Sequence, residues 1–149
     1  MRRTRLYIVI AFLVFVFLGI SALLARGLTG AGTERSRVLE VLEAQARGDA
    51  GRVLALLPAC RAQPPCAQVT RERVAQLERP GPVQILTYDP SVHVALTRVS
   101  GVGRVAWRAG TGMPVVQCVR VRRDGPLTGG DVELLSISAP IGGEESCPR

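Results

Sequence analysis

The chain has no lysine and no asparagine, and aromatic residues make up only 4% of its 149 positions. Its 19 basic residues are therefore all arginine, set against 12 acidic ones for a net charge of +7. Poverty in Lys, Asn, Phe and Tyr beside wealth in Ala, Arg, Gly, Val and Leu is the bias of a GC-rich coding sequence, so arginine was not selected here for its phosphate-matching fork. Without Arg2, Arg3 and Arg5 the balance is 16 basic against 12 acidic residues, an ordinary solubility charge that does not point to nucleic acid. No cysteine precedes Cys60, which excludes an N-terminal lipidated cysteine. No C-x2-C pair occurs, which argues against a zinc site and against a dithiol redox motif. The length excludes a large multidomain enzyme, a polytopic transporter and a repeat array.

What is present begins with an uncharged run at residues 6–25, of which 14 are Leu, Ile, Val or Phe. All three phenylalanines (Phe12, Phe15, Phe17) lie in it. Twenty helical residues rise about 30 Å, the thickness of a bilayer core, so the run predicts a single-pass transmembrane signal anchor. The alternative is a signal peptide cut after Gly27, with Ala25 at the −3 position. The expected organisation is a basic cytoplasmic tail (1–5), the anchor (6–25), a Gly/Thr linker (26–33) and an extracytoplasmic domain (34–149). Orientation follows from the N-terminal arginines and from four cysteines that all lie after the apolar run.

Helical periodicity follows the linker. Val38, Leu39, Val41, Leu42 and Ala46 share one face, Gly48 ends the helix, and Asp49 caps a second one ending before Pro58. A third is expected over residues 67–78, with Val69, Val74 and Leu77 as its apolar face. After Gly81-Pro82 the pattern alternates, predicting four or five strands over 83–88, 92–99, 104–109, 115–123 and 132–139. Helices first and antiparallel strands afterwards mean α+β: two to three helices on a curved sheet.

Alternation places Val105, Trp107 and Ala109 on one face of the sheet and Arg104 and Arg108 on the other. On the next strand Val115, Val119 and Val121 face inward, and Cys118, Arg120 and Arg122 outward. An outward Cys118 is within reach of Cys147 on the C-terminal tail. Of the three possible pairings, this geometry favours Cys118–Cys147, with Cys60–Cys66 closing the Pro-Pro loop.

The fragment VLEAQARGDAGRVLALLP, a helix, a Gly-Asp break and a second helix, resembles the opening of extracytoplasmic nuclear transport factor 2-like (cystatin-like) domains. The later segment RVAWRAGTGMPVVQCVRVRRDGPLTGGDVELLSIS is similar in spacing to their closing hairpin. In particular, the chain resembles membrane-anchored proteins of high-GC Gram-positive bacteria. The resemblance implies a cone-shaped pocket between helices and sheet. Because that fold hosts isomerases, secretion-machine subunits and binding modules, it does not decide function.

Tyr88, His93 and Trp107 are the candidate pocket residues, and Arg104, Arg108, Arg120 and Arg122 a candidate basic face. No inward carboxylate accompanies His93 in the apolar stretches, so no catalytic, cofactor or metal residues are assigned. The expected function is a non-enzymatic, membrane-tethered domain that binds an envelope protein or an anionic envelope polymer. The alternatives are a small-molecule-binding or isomerase-like pocket protein, and an accessory subunit of a secretion or transport assembly.

Overall fold

A computed structural model of the protein describes residues 2–90, 99–124 and 131–148. Its architecture is α+β, with helices α1 (Arg2–Ala46), α2 (Ala50–Leu56), α3 (Pro58–Arg61) and α4 (Pro64–Gln76) preceding strands β1 (Val83–Asp89), β2 (Val99–Ala109), β3 (Val115–Asp124) and β4 (Asp131–Ile137).

The expected transmembrane helix is overturned. No helix among the described residues is long and apolar enough to cross a membrane. The apolar run is instead the opening part of one 45-residue helix, α1, whose C-terminal part packs into the domain core. Nor does a linker set this stretch apart, because α1 continues through residues 26–33 to Ala46.

The C-terminal part of α1 is held by a stripe at helical spacing. Val38, Val41 and Leu42 are buried, and Glu34 and Gln45 extend the same stripe at its two ends. The helix stops at Gly48, whose φ of 73° suits a residue without a Cβ. Gly48 N donates to Gln45 O and Asp49 N to Ala44 O, the paired bonds of a Schellman cap. Asp49 then starts α2, its Oδ1 accepting from Arg52 N at 2.8 Å. Prolines at residues 58 and 64 open α3 and α4, where a missing N–H costs nothing. The third expected helix thus begins earlier than its apolar pattern, and a short α3 separates it from α2. Its buried stripe is Ala67, Thr70, Val74 and Leu77, whereas Val69 is exposed.

The sheet is an antiparallel meander in the order β1-β2-β3-β4. The expected divider SGVG lies inside β2, with Gly101 opposite Val121 and Gly103 opposite Val119. Most of the separate strand expected over 92–99 falls outside the described residues. Before β1 the chain turns at Gly81 (φ 106°), where a Cβ would meet Gly110 Cα at 2.8 Å; this close approach sets the first strand against the β2–β3 turn. The core lies between the sheet's inner face (Val105, Trp107, Val119, Val121, Leu134, Ile137) and the stripes of α1, α2 and α4.

Both expected disulfides are present. Cys60–Cys66 ties α3 to α4 with a Cα–Cα distance of 5.3 Å. Cys118–Cys147 ties the tail to β3 at 5.7 Å and closes a separation of 29 residues, which the chain-entropy model values at about 3.6 kcal/mol.

Candidate functional site

Among the described residues, polar side chains gather in three places. The first is the centre of the core. Trp107 is wholly buried, and its Nε1 donates to Gln117 Oε1 at 2.8 Å. Gln45 Nε2 donates to the same oxygen at 3.0 Å, and Gln117 Nε2 donates to Ser138 O at 2.9 Å. Both glutamines are buried, so these bonds replace the water they lost. They tie α1, β2, β3 and the residue just past β4 at one point.

The second cluster joins α1 to the sheet. Glu34 is fully buried, a position its place among surface arginines in the sequence did not suggest. Arg123 Nη2 donates to its Oε2 at 2.8 Å, and the Tyr88 hydroxyl donates to its Oε1. Burial pushes the Tyr88 phenol well above its ordinary value, the Glu34 carboxylate adds to that rise, and the Arg123 charge opposes it. Tyr88 therefore stays protonated and serves as a hydrogen-bond donor, while Arg123 supplies the balancing charge. The spacing contained a signal for both missed residues: Glu34 stands four before Val38 and Gln45 three after Leu42, on the stripe that the apolar residues mark.

The third is the outer face of the sheet. Arg104, Arg108, Arg120 and Arg122 share it, as alternation predicts, with Arg104 opposite Cys118 and Arg122 opposite Ser100. Arg122 pairs with Glu133, Arg108 donates to Gln84 Oε1 at 3.1 Å, and Arg104 donates to Gly143 O on the tail. Arg104 also lies 4.0 Å from Asp89. Arg108 and Arg120 are exposed.

The candidate pocket residues do not share an environment. Trp107 is committed to the core, Tyr88 to Glu34, and His93 lies outside the described residues. Among the described residues no three His, Cys, Asp or Glu side chains gather as metal ligands. No family model matches the chain, and no curated protein or solved structure is significantly similar to it.

Proposed function

We propose that the protein is a non-enzymatic, extracytoplasmic domain that binds an anionic component of the cell envelope through the arginine-bearing outer face of its sheet. The observation that carries this reading is the division of polar groups between the two faces. The described interior ones are bonded to one another, whereas Arg108 and Arg120 stand in solvent on one side of a rigid sheet. Guanidinium groups so placed suit phosphate or carboxylate groups of a polymer. Two disulfides and no free cysteine favour an oxidising compartment. The order of helices before an antiparallel sheet, with the Gly-Asp break between α1 and α2, supports a nuclear transport factor 2-like assignment as part of the same proposal.

Location at the membrane belongs to the proposal too. Consecutive residues from Phe12 to Leu18 are exposed, and they point to every side of α1. Apolar side chains exposed in this way suit contact with a membrane surface. The deciding experiment sediments the full chain with purified cell wall at low and high salt. Arg108→Gln with Arg120→Gln should lower the bound fraction several-fold at low salt and leave thermal unfolding unchanged. Equal binding by wild type and the double variant would sink the outer-face reading.

A further inference from the structure

The C-terminal tail and the arginine face occupy the same side of the sheet, and the two disulfides play unequal parts there. Cys60 is buried, and its bridge to Cys66 joins neighbouring helices, so opening it releases no segment. Cys118–Cys147 is different. Past Ile137 no described side chain is buried. Ser138 and Ile141 still pair with β3, Ser138 N donating to Cys118 O and Ile141 N to Val116 O, each at 2.8 Å. Beyond Ile141 the described attachments of the tail to the sheet are the Arg104–Gly143 bond, a long contact from Cys147 Sγ to Gly103 O, and the bridge itself. The segment lies over Cys118, which is only 5% exposed, and occupies the Arg104 guanidinium.

We propose that residues 142–148 form a disulfide-latched strap, and that opening Cys118–Cys147 frees Arg104 to join the exposed Arg108 and Arg120 in holding a polyanion. This rests on the outer-face reading above and adds its regulation. The reductant is a dithiol. Its thiolate attacks Cys147 Sγ, the less buried sulfur, forming a mixed disulfide and releasing Cys118 as a thiolate that takes up a proton. The second thiol of the reductant, deprotonated, then displaces Cys147, which is protonated in turn. In sum the protein gains two electrons and two protons, and the dithiol becomes a disulfide. The core contacts of Trp107 and Gln117 lie on the other face and are left in place, so the strap opens without unfolding the sheet.

The test uses folded, oxidised full-length protein and inorganic polyphosphate as the probe. Brief dithiol treatment, with alkylation and peptide mapping to verify that Cys118 and Cys147 have opened, should raise hydrogen exchange at residues 142–148 at least tenfold. Exchange in β2 and β3 should stay slow, and polyphosphate binding should tighten several-fold at low salt. Cys147→Ser should reproduce both effects without reductant, and adding Arg104→Gln should remove most of the gain in binding. Unchanged exchange at 142–148 after verified opening would overturn the latch. Fast exchange there with no gain in polyphosphate binding would leave the latch standing and overturn the anion-binding reading of the face. Loss of protection throughout β2 and β3 would overturn the strap as a separable element and make the bridge a support of the fold.

Discussion

The two faces of the sheet use polar residues under opposite conditions. Inside, Gln117 sits among Val105, Trp107 and Val119 and reaches α1, Trp107 and the Ser138 carbonyl. Outside, the arginines of the same two strands meet nearby side chains, the tail or solvent. A buried amide without partners costs about 1–3 kcal/mol, so its partners must come from fixed elements. An exposed guanidinium exchanges a protein partner for water at almost no cost. The inner face therefore specifies the fold, and the outer one is left free to change with function.

The largest effect should come from cutting the inner network at its centre. Trp107→Ala is expected to lower stability by about 4 kcal/mol, since it opens a cavity and removes one of the two donors to Gln117 Oε1. Urea unfolding followed by circular dichroism measures it. A loss of about 1 kcal/mol or less would mean that the core closes around the gap, and that the contrast between the faces is weaker than argued.

Glu34→Ala comes next. It leaves the Arg123 guanidinium half-buried opposite an empty site, and breaking a buried pair costs about 3–5 kcal/mol. The lower end, about 3 kcal/mol, is expected because the Arg123 side chain is 24% exposed and regains some water. If Glu34 behaves instead as a surface residue, with a change below about 0.5 kcal/mol, the attachment of α1 to the sheet lies elsewhere.

These two residues also show how much was legible beforehand. The α+β class, the faces of β2 and β3 and the Cys118–Cys147 pairing follow from periodicity, because period two and period 3.6 each report a burial direction. Gly48 marks the helix break, and Cys60–Cys66 is the pair left over. Three features escaped periodicity for physical reasons. Glu34 is a charged residue, yet its position on the Val38–Leu42 stripe puts it inside. SGVG has turn composition, yet its glycines sit within β2, since pairing along β3 continues through them. And an apolar run of spanning length was read as a separate unit, whereas α1 carries it on into the domain. Of the candidate sites, the arginine face was legible and the Glu34–Tyr88–Arg123 cluster was not, because its members are far apart in the chain.

Tyr88→Phe tests that cluster with a pH signature. At neutral pH the loss should be about 1 kcal/mol, for one hydrogen bond to a carboxylate that keeps Arg123. The phenol is raised in the folded state, so its contribution is complete below its ordinary value of 10.0 and declines as the pH rises above that value. Wild type should therefore lose stability more steeply than Tyr88→Phe above pH 10, and the gap between them should narrow. Parallel melting curves from pH 8 to 11 would mean that Tyr88 reaches solvent and does not bind Glu34.

The smallest expected effect carries the functional half of the comparison. Arg120 is exposed opposite Val102, and its substitution by Gln should change stability by no more than about 0.5 kcal/mol, the usual range for a surface site. Arg122, one register step along, is tied to Glu133 across to β4, so Arg122→Gln serves as the outer-face control and should cost a few tenths more. Both are read from urea midpoints at fixed pH and salt, where a difference of 0.3–0.5 kcal/mol is resolvable by a matched series. If Arg120→Gln instead costs more than 1 kcal/mol, the outer arginines support the sheet as the inner glutamine does. Their exposure would then no longer single them out as a surface kept for a partner.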